Sequence, residues 1–140
     1  MRKTLLITGC FLLAGCIAYG SQHVATSAIM RALPPHEVDI LLDVGRKYGL
    51  EGDTLKLLLV IRKIENGGPG VEMGVASDFP WHRSHRYAGD PAKSLRLQGL
   101  WAAGTIRKHY TGDLEAFSKR YCPPKWRHWT NLARHWMNRS

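Results

Sequence analysis

Glu65 is the residue best placed to do chemistry in this chain. It ends a mostly apolar run, residues 57–64, and an asparagine and two glycines follow it directly. A carboxyl group at the edge of a hydrophobic wall resists ionisation, because burial disfavours its charged form and raises its pKa. Such a group can keep a proton near neutral pH and donate it as a general acid. The alternative is a solvated residue in a last helical turn, where the helix dipole favours Lys or Arg over Glu.

The elements that must position Glu65 are predicted to be helices, since no segment shows a convincing period of two. A first helix follows Pro34-Pro35 and stops at Gly49. Asp53 is predicted to cap a second helix, which is apolar on most sides and ends at the glycines 67–68. Glu65 would then lie on the last turn of this buried helix.

The chain changes character between residues 67 and 89, which are rich in Gly, Pro, His and aromatic residues. A segment of this length without helical periodicity predicts a long functional loop. A third helix begins at Asp90-Pro91 and runs to about Tyr110, with Trp101 among its predicted core residues. Asp113 is predicted to cap a short helix, 114–121, and a last helix would dock through an aromatic stripe (Trp126, Trp129, Leu132 and Trp136).

The first twenty residues are typical of an export signal, because Arg2-Lys3 leads into an apolar stretch. Residues 13–16, Leu-Ala-Gly-Cys, match the lipobox that directs lipidation of Cys16 in bacterial lipoproteins. Cleavage after residues 18–20, Ala-Tyr-Gly, and an uncleaved signal anchor are the alternatives. The predicted organisation is a signal at 1–20, a polar linker at 21–33 and one domain at 34–140. The protein is expected in the periplasm or cell envelope, with membrane attachment through its N-terminus if Cys16 is lipidated.

Cysteine usage and charge narrow the class of protein further. Cys10 and Cys16 lie in the signal, so Cys122 alone remains in the domain and no internal disulfide is expected. The formal net charge is +9, which favours an acidic partner. The basic residues are scattered and form no block typical of nucleic-acid binding. Cell-wall polymers or anionic lipids are therefore the expected polyanions, and no nucleic acid is expected. A basic surface that serves only solubility is the alternative.

A metal site and a cofactor are not expected. Of the seven His residues, His82, His85 and His109 come nearest to a cluster, but they lack the helical spacing of a zinc motif. Trp81, Tyr87 and Trp126 are candidates for stacking on sugar faces, with core packing as the alternative.

Three segments, taken in order, resemble soluble lytic transglycosylases of the lysozyme-like superfamily. The first is Glu65-Asn66 after a buried helix, where that family has its catalytic Glu followed by a small polar residue. The second is 72–75, Glu-Met-Gly-Val, which partly matches a Gly-Leu-Met-Gln-like turn. The third is 120–124, Arg-Tyr-Cys-Pro-Pro, at the place of an Ala-Tyr-Asn-Ala-Gly segment. The resemblance spans about 35–136. The missing Gln and the Cys after the Tyr fit a divergent branch, such as a phage or secretion-associated wall enzyme.

The resemblance implies a mainly α, compact lysozyme-like domain that cleaves the bond between N-acetylmuramic acid and N-acetylglucosamine in peptidoglycan glycan strands. Glu65 would protonate the leaving oxygen and then accept the proton of the sugar's own 6-hydroxyl, which closes an anhydro ring. Asn66 and Met73 would contact the substrate, although Met73 could simply pack. Tyr121 would lie across the cleft from Glu65 and orient either Glu65 or the sugar through its hydroxyl, with a half-buried core tyrosine as the alternative.

Other outcomes remain open at the level of sequence. A hydrolytic lysozyme-type muramidase would need a second carboxylate as nucleophile or as base for water. Asp78 is the better candidate, with a turn-capping residue as the alternative, and Glu72 is expected to be a solvated loop acid. A wall-binding protein that keeps the fold without turnover is another reading. The last is a basic membrane-anchored or nucleic-acid-associated helical protein in which Glu65 has no special role.

Overall fold

The computed structural model describes residues 27–74, 87 and 89–140. This part of the chain is helical and contains no strand, as the sequence predicted. Its elements are listed here in chain order: α1 (Ala28–Arg31), α2 (Pro35–Lys47), α3 (Gly52–Glu65), α4 (Pro91–His109), α5 (Leu114–Tyr121), a 3-10 turn (Pro123–Lys125) and α6 (Trp126–Met137).

Helix α3 is the centre of the fold. It contacts α1, α2, α4 and α6, so that its side chains are covered from several directions. The four residues Leu57, Leu58, Val60 and Ile61 are fully buried. The unbroken apolar run in the sequence therefore reflects a helix enclosed by others, and Glu65 is its last residue.

Both ends of α3 differ from the sequence prediction. Glu51, not Asp53, is the N-terminal cap, because Glu51 and Thr54 form a reciprocal capping box and Asp53 lies in the first turn. At the other end the chain leaves the helix at Asn66, which has a φ of 44°, before the glycines 67–68 are reached. Asparagine is one of the few non-glycine residues that adopt this left-handed conformation readily.

The caps predicted for the other helices are confirmed. Pro35 opens α2, and Gly49 with a φ of 67° follows its end. The Asp90 side chain accepts a hydrogen bond at the start of α4, from the Lys93 N–H. Asp113 likewise accepts from two backbone N–H groups of α5. These are local interactions between neighbours in the sequence, which is why residue type alone predicts them.

The linker predicted at 21–33 requires a correction. Its described part, 27–33, contains α1 and belongs to the domain, because Ile29 is fully buried in the core and Leu33 is 8% exposed. Lys63 also donates a hydrogen bond to the Ala32 carbonyl at 3.1 Å. The burial of these apolar side chains stabilises the segment against the domain. The polar residues around them led to the prediction of a linker.

Helix α6 docks on α3 through its aromatic side, as predicted. Trp129 is 3% exposed and lies in the core. The far end of α6 is held by Lys56, whose Nζ donates to the carbonyls of Met137 and Arg139 at 2.8 and 2.7 Å. Within the described residues, no helix is both long and apolar enough to cross a membrane.

Candidate functional site

Glu65, at the end of α3, is held by a residue of the last helix, α6. The Trp129 Nε1–H donates a hydrogen bond to Glu65 Oε1 at 2.8 Å. Trp129 itself is buried on α6, so the donor is fixed by packing on all sides. Glu65 is half-buried.

The environment of Glu65 favours its protonated form. Burial raises the pKa of the Glu65 carboxyl, and the hydrogen bond from Trp129 lowers it by a smaller amount. The position at the C-terminal end of a helix also disfavours a negative charge. The raised pKa predicted from the apolar run agrees with this geometry, and it suits a group that must donate a proton.

Gly74 forms the wall against the Glu65 carboxyl. A Cβ atom at position 74 would lie 2.3 Å from Glu65 Oε2 and 2.7 Å from Cδ, and Gly74 has a φ of 71°. Any side chain here would collide with the carboxyl and would strain the backbone. The glycine therefore allows the loop to approach the acid closely.

The segment that carries Gly74 is fastened to α4 by two buried polar side chains. Gln98 accepts a hydrogen bond from the Met73 N–H at 2.9 Å and donates one to the Gly70 carbonyl at 3.0 Å. The Ser94 hydroxyl accepts from the Gly70 N–H at 3.0 Å. Ser94 and Gln98 are 0% and 1% exposed. These bonds give residues 70–74 a fixed conformation although they form no regular element.

Glu72 does not lie on the surface, and the expectation of a solvated loop acid is wrong. It is 4% exposed, and its Oε2 accepts a hydrogen bond from the Ser94 hydroxyl at 2.8 Å. Its backbone carbonyl accepts a hydrogen bond from Arg62, which is itself paired with Glu37 at 2.8 Å. The Glu72 side chain thus points toward α4, and its hydrogen bond to Ser94 helps to hold the loop against that helix.

Tyr121 belongs to the site, but its hydroxyl does not bind Glu65. It donates a hydrogen bond to the Met73 carbonyl at 2.9 Å, while the ring stacks on Phe117 and lies 5.6 Å from the Trp129 ring. Burial raises the pKa of Tyr121, and the negative charge of the nearby Glu65 adds to this effect. Tyr121 therefore positions both the loop and the tryptophan that holds the acid.

The other predicted site residues are divided between the core, the surface and the undescribed part of the chain. The Met73 side chain is fully buried, so it packs and cannot touch a ligand. Asn66 is exposed beside Glu65 and also ends α3. Asp78 and Cys16 lie outside the described residues, as do Trp81, His82 and His85.

The described aromatic candidates for sugar stacking have cations over their rings. Lys93 Nζ lies 4.5 Å from the centre of the Tyr87 ring. The Trp126 ring has both Lys119 and Arg127 within 4.6 Å of its centre. These contacts favour a packing role for Tyr87 and Trp126. As for metals, no group of three or more potential ligands from His, Cys, Asp and Glu occurs within 27–74, 87 and 89–140.

A groove of about 300 Å³ opens beside the acid. Gly74 connects the two, since it lines the groove and also contacts Glu65. The remaining lining residues come from α4 and α5: Trp101, Thr105, His109, Arg120 and Tyr121. Trp101 was predicted in the core but is 40% exposed. Among these residues there is no carboxylate.

Sequence reasoning missed four residues of the site. In the sequence, Trp129 stands out only as part of the stripe that docks the last helix, and Gly74 only as part of the segment 72–75. Ser94 and Gln98 were passed over, although their spacing of four residues on a helix face otherwise rich in apolar residues was a usable signal. Buried polar residues in such a pattern require partners, and here the partner is the loop.

Comparison of the chain with protein-family models, with curated proteins and with solved structures found no match.

Proposed function

We propose that this protein is a lytic transglycosylase that cleaves peptidoglycan, with Glu65 as general acid and base. The observation that carries the proposal is a half-buried carboxyl with a raised pKa, held by Trp129 and walled by Gly74. A single acid in this setting matches glycosidic bond cleavage, in which a proton reaches the leaving oxygen as positive charge develops on the sugar. In keeping with the family resemblance, we infer a lysozyme-like arrangement of the helices.

The proposed reaction needs only one carboxyl group. Protonated Glu65 gives its proton to the glycosidic oxygen while the bond from that oxygen to the muramic acid anomeric carbon breaks. The carboxylate then takes the proton of the 6-hydroxyl of the same sugar, and the 6-oxygen bonds to the anomeric carbon. Glu65 ends protonated again, and no water is consumed.

Export is part of the proposal, because the substrate lies outside the cytosol. The signal-like residues 1–20 and Cys16 lie outside the described part of the chain. Mass spectrometry of the mature N-terminus separates the three routes. A diacylglyceryl mass on Cys16 identifies a lipoprotein, a new N-terminus at Ser21 identifies ordinary cleavage, and an intact Met1 identifies an uncleaved anchor.

Digestion of purified peptidoglycan tests the proposed activity. The parent protein, Glu65→Gln and Glu115→Gln are compared, the last being a partly exposed carboxylate on α5. Products are identified by mass spectrometry. Anhydro-muropeptides from the parent and from Glu115→Gln, but not from Glu65→Gln, are expected.

Two other results would contradict the proposal. Reducing ends in place of anhydro sugars would identify a muramidase and would direct attention to Asp78. Folded parent protein that binds glycan strands and releases nothing would identify a wall-binding protein.

A further inference from the structure

Charge is unevenly divided between the two parts of the described chain. Residues 27–74 contain six Lys or Arg and seven Asp or Glu, so their charges nearly cancel. Residues 89–140 contain ten Lys or Arg but three Asp or Glu, and no acid follows Glu115. The positive charge of the described chain is therefore concentrated in its second part, which contains α4, α5 and α6.

The outer side of α6 carries much of this charge. Its inner side packs on the domain, where Trp129, Thr130 and Ala133 are buried. The exposed residues of α6 and of the turn after it recur every three or four positions, so they share one side of the helix. They include no acid: Arg127, His128, Asn131, Arg134, His135, Asn138 and Arg139. Together with Lys119 and Lys125, which are also exposed, they form what we call the cationic face.

Most of the charge on the cationic face is uncompensated. Glu115 pairs with Lys119 at 2.8 Å and with Arg134 at 3.8 Å, so one acid serves two cations. The other three cations of the face form no ion pair with a described residue: Lys125, Arg127 and Arg139. Such a concentration of charge attracts a polyanion from a distance and holds it by counter-charge.

Two tryptophans stand beside these cations, at the two ends of α6. Trp126 is partly exposed, and Lys119 Nζ and the Arg127 guanidinium carbon lie 4.5 and 4.6 Å from the centre of its ring. Trp136 is also partly exposed, with the Arg139 guanidinium carbon 5.2 Å from its ring centre. Tryptophan next to Lys and Arg is typical of protein surfaces at the boundary between membrane and water, where the amphipathic indole lies among the headgroups.

We propose that the cationic face of α6 adsorbs to a membrane surface that carries anionic phospholipids. Lys and Arg side chains within a Debye length of such a surface each add to the binding, and they need no specific contact. Trp129 holds Glu65 from the inner side of α6, so adsorption through the outer side leaves the acid uncovered. The inference does not rest on the proposed reaction.

The shape of the cationic face favours a membrane over a nucleic-acid strand. A single strand is usually held in a positively charged groove with aromatic rings open for base stacking. The outer side of a helix is convex instead, and the Trp126 ring already has two cations against it. A planar surface can meet the cations from Arg127 to Arg139 together, because they lie along one side of the helix over about 18 Å.

Vesicle binding by the full chain tests the inference. Cosedimentation is measured with vesicles of phosphatidylcholine alone and with vesicles in which about one third of the lipid is phosphatidylglycerol. The parent is compared with the double variant Lys125→Gln/Arg127→Gln and with the control Arg46→Gln/Lys47→Gln. Arg46 and Lys47 are exposed at the end of α2, so the control removes the same number of charges away from the face. Circular dichroism establishes that all three proteins are folded.

The expected result is a loss confined to one variant and one lipid. Lys125→Gln/Arg127→Gln weakens partition onto the anionic vesicles on the order of tenfold, and the control stays within about twofold of the parent. All three proteins bind neutral vesicles equally, since any attachment through residues 1–20 is common to them. At about 0.5 M salt the difference disappears, because the Debye length shrinks to roughly 4 Å.

Two results would overturn the inference. Equal partition of Lys125→Gln/Arg127→Gln and the control onto anionic vesicles would mean that the face is an ordinary solvated surface. A short DNA duplex, offered at the same concentration of negative charge, is the second test. Tighter binding of the parent to the duplex than to the vesicles, lost in Lys125→Gln/Arg127→Gln, would assign the face to nucleic acid instead.

Discussion

Trp129 and Glu65 are 64 residues apart in the sequence, and the indole N–H of the first donates a 2.8 Å hydrogen bond to the carboxyl of the second. The bond joins the end of the most buried helix to the helix that closes the domain. It acts against burial, since a donor to the charged form of an acid lowers its pKa. Burial has the larger effect on the pKa of Glu65, and the hydrogen bond from Trp129 offsets part of it.

Trp129→Phe is expected to shift the pH dependence of turnover. The variant keeps an aromatic ring in the core but removes the donor, so the pKa of Glu65 rises further above its usual range. Because the acid must be protonated, activity should persist to higher pH, and the alkaline limb of the pH–rate profile should shift to higher pH. The maximal rate should fall roughly tenfold, because the carboxyl is less firmly oriented. Both effects are measured from release of soluble muropeptides across a pH series.

Trp136→Phe serves as the control for this experiment. Trp136 lies on the same helix, where its ring faces Lys63 at 5.8 Å, and it does not contact the acid. An alkaline limb that stays in place in Trp129→Phe, or moves to lower pH, would contradict the assigned role of the bond.

Gly74→Ala is expected to abolish most of the activity. The added methyl group would meet the Glu65 carboxyl at 2.3 Å, so either the acid or the loop must move. A displacement of this size in a catalytic group costs on the order of a hundredfold in rate. The measurement is the initial rate of peptidoglycan solubilisation.

Gly49→Ala is a closely matched comparison. Gly49 has a φ of 67° against 71° for Gly74, but a Cβ atom there would meet nothing within 4 Å. Both variants should lose about 1–2 kcal/mol of stability from left-handed backbone strain. Equal activity in the two variants would show that the close approach to Glu65 does not matter.

Glu65→Gln is expected to be more stable than the parent protein above neutral pH. The pKa of Glu65 is raised in the folded state, so the folded protein holds its proton more tightly than the unfolded chain. The corresponding stability is fully present below the unfolded pKa and is lost as pH rises through the folded pKa. Gln has no such loss and can still accept from Trp129. The difference in melting temperature between variant and parent should be smallest near pH 4 and grow toward pH 8, and a constant difference would count against it.

Glu72→Gln is expected to leave turnover within about twofold of the parent, since its carboxyl is buried against α4 and acts through the loop alone. Gln retains an acceptor for the Ser94 hydroxyl and removes a buried carboxylate. The rate of muropeptide release and the product structures are the readouts. A loss comparable to that of Glu65→Gln would contradict this expectation.

Gln98→Leu is expected to destabilise the domain by about 2 kcal/mol, because the buried Met73 N–H and Gly70 carbonyl lose their partner. Activity should fall with it, since Gly74 is no longer held against Glu65. Denaturant unfolding and solubilisation rates are compared with those of Thr130→Val. Thr130 is as deeply buried, but its hydroxyl bonds within its own helix to Trp126, so this control should lose less stability and no activity.

Helical content and several helix ends were predictable from the sequence because they depend on neighbours a few residues apart. Asp90 and Asp113 satisfy N–H groups within three residues, and Pro35 begins a helix by its own restricted backbone. The exceptions have equally local causes. Glu51, and not Asp53, is the N-terminal cap of α3, and it forms a capping box with Thr54. The usual capping box has Ser or Thr at the cap and Glu or Gln three residues later, so the order of residue types is reversed here.

The sequence by itself determined that the chain is helical, and it singled out Glu65, because an acid that ends an apolar run is visible in one dimension. Only the tertiary structure decided what surrounds that acid. Trp129, Gly74 and the buried pair Ser94 and Gln98 reach the site across separations of 9 to 64 residues, and Trp101 faces the groove instead of the core. The physical reason is that capping and periodicity act between neighbours, whereas hydrogen bonds and close approaches in a site depend on how whole helices pack.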